Sequence, residues 1–222
     1  MKYKFLSFLL SMVVGSMAFA NEPVEKYPRY RGYYSFETWF ASANAGAQVF
    51  MGDHDKQENF GKRITPTISV SVGKWLNPSF GVRGSINGGQ IVGLTQTKAL
   101  ASSDKMIIDA PHYLYRQKIN YIHAHADLMF HWSNDAYDVN LNRTYNLIPY
   151  AGIGIMAGLN KQKETKFSPN LGVIQTIRLT DKWDLNLDIM GNIVGDAFDG
   201  EKGGNKFEGR VAATVGFTYN FR

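Results

Sequence analysis

The chain has 222 residues, 44% of them hydrophobic, 14% aromatic and 19% charged, with 22 glycines, no cysteine and a formal charge of +5. The missing cysteine excludes disulfides, thiol nucleophiles and Cys-ligated metal centres, and a mean hydropathy of −0.25 excludes both a helical membrane protein and a disordered tail. Two of the 24 Lys and Arg, Lys2 and Lys4, fall in a leader without acids, so +3 remains for the rest, spread without the basic run of a nucleic-acid binder.

Residues 1–20 read as an export signal: Met1-Lys2-Tyr3-Lys4 is a positive start, Phe5 to Val14 an apolar core, and Ala18-Phe19-Ala20 a small-x-small cleavage site. Residues 21–36, with Tyr27, Pro28, Tyr30, Tyr33 and Tyr34, form a lead-in expected on the periplasmic side. Residues 37–222 are expected to form the folded domain.

Eight segments of that domain alternate apolar and polar with period two, each near the 9–11 residues of a tilted membrane-crossing strand. They run 38–50, 64–75, 80–87, 121–132, 146–158, 170–179, 183–194 and 209–221. One face carries, for example, Ala41 to Val49, Pro66 to Val72, Ile122 to Phe130 and Val211 to Phe221, and no charged residue on any strand. The opposite face carries Arg83, His123, His125, Asp127, Arg178, Asp184, Asp188 and Arg210 among Ser, Thr, Asn and Gln. This predicts an all-β, eight-stranded, antiparallel up-and-down barrel.

Alternation alone fits a soluble barrel with apolar filling as well as a transmembrane barrel with apolar wall. Three features select the second. The polar face has no lysine. Connections at 51–63, 88–120, 159–169 and 195–208 are long, while 76–79 and 180–182 are tight, although 133–145 is long at the tight end. The four tryptophans, Trp39, Trp75, Trp132 and Trp183, fall at that tight end, where Trp suits a membrane interface. Trp75 has polar-face parity unless a bulge near Gly73 turns it.

A barrel of eight strands is just wide enough for its own side chains, so the polar face must pair within itself. Arg178 or Arg210 with Asp184 or Asp188 are the expected lumen pairs, and no open pore is expected. His123, His125 and Asp127 share a face at i, i+2 and i+4. They are read as a structural network rather than a zinc site or proton relay, so no metal, cofactor or catalytic residue is assigned. His131 near Ser133 is the one catalytic arrangement to set against that reading. Acidic tips at 52–55 and 195–201 read as solvated turns, and Asn142-Arg143-Thr144 as a chance sequon.

The final strand ends on outward Phe217, Tyr219 and Phe221, followed by Arg222. It resembles the C-terminal aromatic signal recognised by the barrel-assembly machinery. The stretches 44–56, 72–75, 149–154, 179–188 and 195–201 resemble the OmpA-type outer-membrane barrels in their Bacteroidota form. The resemblance implies an eight-stranded barrel in a Gram-negative outer membrane, with an envelope-integrity role. Its partners would be membrane lipid and lipopolysaccharide, and extracellular ligands through the loops. Full-length members of that family carry a peptidoglycan-binding domain after the barrel, which is not expected here. Other readings are a narrow porin-like channel, a soluble ligand-binding barrel and a lipid-modifying enzyme.

Overall fold

The computed structural model describes residues 38–52, 60–102, 106–108, 113–137, 143–159, 164–195, 198 and 207–221. The export signal, the lead-in, Asp53 to Asp55, Asn142, Glu201 and Arg222 lie outside the described residues.

Among the described residues ten strands follow in chain order: β1 Trp39–Met51, β2 Ile64–Trp75, β3 Phe80–Thr95, β4 Met106–Ile108, β5 Leu114–Phe130, β6 Tyr145–Gly158, β7 Thr165–Phe167, β8 Asn170–Arg178, β9 Trp183–Gly195 and β10 Phe207–Phe221. Eight of them close a ring in the order β1-β2-β3-β5-β6-β8-β9-β10 and back to β1, every contact antiparallel. β4 and β7 are short additions on the edges of β5 and β6. No helix among the described residues is long and apolar enough to cross a membrane.

The tight turns are built by side chains. Asn77 Oδ1 accepts from the N–H groups of Ser79 and Phe80 at 2.9 and 2.7 Å, as Asx turns do. Thr180 Oγ1 accepts from Lys182 and Trp183 at 3.3 and 3.0 Å in the turn from β8 to β9. The long connection at this end holds a short helix, Trp132–Tyr137. It is tied down by Asn134 Nδ2 donating to the Pro78 carbonyl and by Ser133 Oγ accepting from Leu147 N–H.

The apolar face points outward. None of its strand positions is buried, and Ile68, Ile153 and Leu171 are 63–66% exposed. In the polar frame Gln48, Thr67, Arg83, His123, Asp127, Asn186 and Arg210 are all at most 6% exposed. The barrel is therefore polar inside and apolar outside, which is the transmembrane alternative of the two.

Two expectations are corrected. The connection 88–120 is half strand: β3 continues to Thr95 and β5 begins at Leu114, paired up to Thr95 opposite Tyr115. Ile91, Val92, Leu94 and Leu114 are buried whichever way they point, so period-two alternation fails there and the segment reads as a loop. Trp75 also differs. The register of β2 has no slip at Gly73, so its side chain turns inward against Phe40 and His131, at ring separations of 6.2 and 5.2 Å. Trp39, Trp132 and Trp183 point outward.

Candidate functional site: the lumen network

On β1 and β5 the inward residues are apolar at both ends and polar between. On β1 they run Phe40, Ser42, Asn44, Gly46, Gln48, Phe50; on β5 they run Ile119, Tyr121, His123, His125, Asp127, Met129. Stacked around the ring, the ends form two buried apolar clusters. One lies at the long-loop end around Phe50, Met156 and Phe198, the other at the short-turn end around Phe40, Met129 and Ile148. Between them lies the polar network. It follows that sequence reading missed the end clusters although the inward frames carried the signal.

Arg83 is the centre of the lower half. Its Nε and Nη2 donate to Asp127 Oδ2, both at 2.8 Å. Its Nη1 crosses the lumen to Asp188 Oδ2 at 2.9 Å. Arg83 and Asp127 are direct neighbours in the β3–β5 register. The guanidinium lies over the Tyr150 ring at 4.3 Å, and Tyr150 donates its hydroxyl to Asp188 Oδ1 at 2.7 Å. Asp127 Oδ1 also accepts from Asn170 Nδ2 and pairs with His125 Nδ1, each at 2.7 Å. Both carboxylates are thus bonded on each oxygen, the condition for keeping buried charge. Glycines make the room: a Cβ on Gly152 would strike Asp127 Oδ1, and one on Gly154 would lie 2.6 Å from His125 Cβ.

Arg210 organises the upper half with neutral acceptors. It donates to Asn192 Oδ1 at 2.6 Å, to Gln48 Oε1 at 3.0 Å and to the Tyr121 hydroxyl, with His123 Nδ1 at 3.4 Å. Tyr121 lies beneath its guanidinium at 4.9 Å and donates to the same Gln48 Oε1 at 2.5 Å. The stacked rings of His123 and His125, 4.7 Å apart, join the two halves.

The structure therefore brings together Arg83, His123, His125, Asp127, Asp188 and Arg210, but Asp188 and Arg210 do not take the partners expected for them. Asp188 goes to Arg83 because the reach runs straight across the ring, and Arg210 meets amides and phenols. Arg178 and Asp184 sit opposite each other near the short-turn rim. There Arg178 donates to Asp181 at 2.6 Å and Asp184 accepts from Asn220 at 2.9 Å. Sequence reading placed Gln48 and Asn170 on the polar face but missed Tyr121, Tyr150 and Asn192; the two tyrosines could have been found as hydroxyl-bearing rings in an inward frame.

Among the described residues no three His, Asp or Glu side chains are arranged to hold a metal. His131 and Ser133 serve the rim. His131 Nδ1 accepts from Asn134 N–H at 3.3 Å, and the Ser133 hydroxyl is held by Leu147 N–H. Burial, helped by Arg143, pushes the His131 imidazole down to about 4. A polar cavity of about 20 Å³ remains beside Arg83, Ser85 and His125, room for about one water.

No family model matches the chain. It is 27% identical over 193 residues to outer membrane protein 40 of Porphyromonas gingivalis, covering 82% of this chain and 46% of that protein. It is 29% identical over 152 residues to outer membrane protein 41 of the same organism, covering 66% and 35%. The chain thus spans less than half the length of these curated relatives. Among solved structures, OprG of Pseudomonas aeruginosa matches with a TM-score of 0.51 at 8% identity, covering 84% of this chain and 96% of that one. Neisserial surface protein A matches with a TM-score of 0.50 at 12% identity, covering 82% and 97%. At these identities the structural likeness is one of fold. These findings agree with the resemblance read from the sequence: the chain is an outer-membrane β-barrel, similar to outer membrane proteins of a Gram-negative organism and sharing the fold of outer-membrane barrels.

Proposed function

We propose that this chain is a closed, non-enzymatic barrel with a structural role in the envelope, its long loops facing outward and its short turns in the periplasm. The observation that carries the reading is the filled lumen. Arg83 ties β3 to β5 and β9, and apolar clusters stop both ends, so side chains rather than water occupy the interior. Reconstituted in planar bilayers, the protein is expected to give no steady conductance, and liposomes carrying it should not swell in small sugars. Porin-like swelling would overturn the reading.

The competing reading is a narrow channel, favoured by the polar cavity beside Arg83; the same bilayer recording separates the two. A lipid-modifying activity is disfavoured because the Ser133 hydroxyl is held by a backbone N–H rather than by His131. An activity on lipid that His131→Ala abolishes would reverse this. Residues 1–20 are assigned as the export signal and 21–36 as a periplasmic lead-in. Phe217 and Phe221, exposed on the outward face of β10 with Tyr219 between them, are assigned as the signal for assembly. The ribbon of β3 and β5, whose pairing outruns that of β5 with β6 by six residues, is the surface offered to extracellular ligands.

A further inference from the structure

His131 is the joint of the short-turn rim. It follows β5 directly and caps the helix Trp132–Tyr137: its Nδ1 accepts from the N–H of Asn134, the third helical residue, at 3.3 Å. Its own N–H donates to the Ser79 carbonyl at 2.7 Å. Its ring lies 5.2 Å from that of Trp75, which packs on Phe40 in the apolar cluster at this end. The capped helix is tied on both sides. Asn134 Nδ2 donates to the Pro78 carbonyl, the Ser133 hydroxyl accepts from Leu147 N–H, and the Ser133 carbonyl accepts from Arg143. One imidazole therefore couples the turn at 76–79, the helix and the start of β6 to a stopper of the lumen.

The cap works only with a neutral ring. Nδ1 faces a backbone donor and must accept, which puts the ring proton on Nε2. A second proton sets donor against donor at Nδ1 and adds a charge to a half-buried ring near the Arg143 guanidinium. Of the other charged groups on the segments packed against it, Asp135 on the helix is exposed. Lys74, next to Trp75, lies outward over the Trp39 ring at 5.7 Å. Residues 76–79 and 144–150 carry no charge. Burial, with Arg143, accordingly holds the capped ring down to about 4, against the ordinary 6.5 of a released one.

We propose that this rim is an acid-released latch: protonation of His131 breaks the cap, frees the helix and residues 143–147 from the turn at 76–79, and uncovers Trp75 while the barrel stays folded. The strands do not depend on the cap. β5 is laddered to β3 as far as Phe130 and to β6 as far as Met129, and Arg83 keeps its bonds to Asp127 and Asp188 in the lumen. Opening is therefore local. The released ring binds its proton near 6.5 and the capped one near 4. As pH falls between those values the open form gains about tenfold per pH unit, about 300-fold in all, with nothing further below. The inference holds whether or not the lumen conducts, because the latch lies on the rim.

The test is amide hydrogen exchange, followed by NMR on the full-length protein in lipid bilayers between pH 6.5 and 4 and corrected for the pH dependence of free-peptide exchange. Protection of the Asn134 and Leu147 N–H groups should fall by about 300-fold, or to the free-peptide rate where that is reached first. Ala126 and Ile153 in the wall should keep theirs. With Trp39, Trp132 and Trp183 replaced by Phe, the emission of Trp75 should shift to the red over the same range. His131→Asn supplies a capping oxygen that does not titrate, so protection at Asn134 and Leu147 should stay constant with pH. Heat-modifiable migration establishes that this variant is folded; if it is not, the profile of the parent protein decides. The proposal is overturned if protection at Asn134 and Leu147 is unchanged across the range or if the wall amides lose theirs alongside. It is equally overturned if His131→Asn keeps the pH dependence.

Discussion

Arg83 on β3 and Asp188 on β9 meet at 2.9 Å across the full width of the barrel, on strands four places apart in a ring of eight. Arg210 on β10 spans the same distance to Tyr121 and His123 on β5. Each arginine lies over a tyrosine that donates to an acceptor shared with that arginine, Asp188 for Arg83 and Gln48 for Arg210. The lumen thus repeats one arrangement at two heights, once with a carboxylate and once with an amide.

Removing Arg83 should strand two buried carboxylates. Arg83→Met is expected to destabilise the barrel by ~3–5 kcal/mol in urea unfolding from lipid bilayers. Adding Asp188→Asn should recover part of that loss. A cost below ~1 kcal/mol would show that water reaches Asp127 and Asp188 freely.

Gly154 and Gly84 give a matched pair. Gly154→Ala would place Cβ 2.5 Å from the Ala124 carbonyl oxygen, and the overpacking should cost ~1–3 kcal/mol. Gly84→Ala, in the open, should fall within ~0.5 kcal/mol of the parent protein. Equal effects at the two positions would contradict the assignment of inner and outer faces.

Trp75 should be optically distinct from the other tryptophans. In bilayers of lipid brominated on the acyl chains, fluorescence from Trp39, Trp132 and Trp183 is expected to be quenched. A variant with those three replaced by Phe, leaving Trp75 alone, should resist quenching. Strong quenching of that variant would return Trp75 to the lipid-facing side.

His131 lies one residue beyond β5, and its pKa is lowered from the ordinary 6.5 to about 4 by burial, with Arg143 adding to it. The fold prefers the neutral ring, so the unfolded chain binds a proton that the folded one refuses between those values. Stability is therefore complete above 6.5 and is lost as pH falls towards 4, with no further change below. His131→Gln should flatten that slope. An NMR titration that finds the His131 ring protonating near 6.5 would refute the assignment.

The wall was legible because one rule governs it. Lipid tolerates no charge, so the outward positions are free of charge along the middle of every strand, with Lys74 and Lys118 only towards strand ends, and the strand ends follow to within a residue or two at most ends. The rule lapses where the membrane ends: Ile91 to Thr95 are all buried under neighbouring chain, and alternation no longer reports a strand. Lumen partners were not legible for another reason. Facing inward depends on parity, which is local, whereas meeting Arg83 depends on the number of strands in the ring and on side-chain reach. Arg178 and Asp184 are register neighbours and were guessed from adjacency; Asp188 needed the closed circle. Trp75 shows the hazard of reading residue type over parity, since its ring serves the inner cluster at Phe40.

The apolar clusters that stop both ends of the lumen also bear on the medium outside. Mobile ions weaken charge pairs only where they can approach, and at 0.15 M the screening length is about 8 Å. Phe50 and Phe198 at one end, with Phe40 and Met129 at the other, keep them from Arg83, Asp127 and Asp188. The bond that spans the width of this barrel is therefore shielded from the salinity of its surroundings, while Arg178 and Asp181, out on the rim, feel every change.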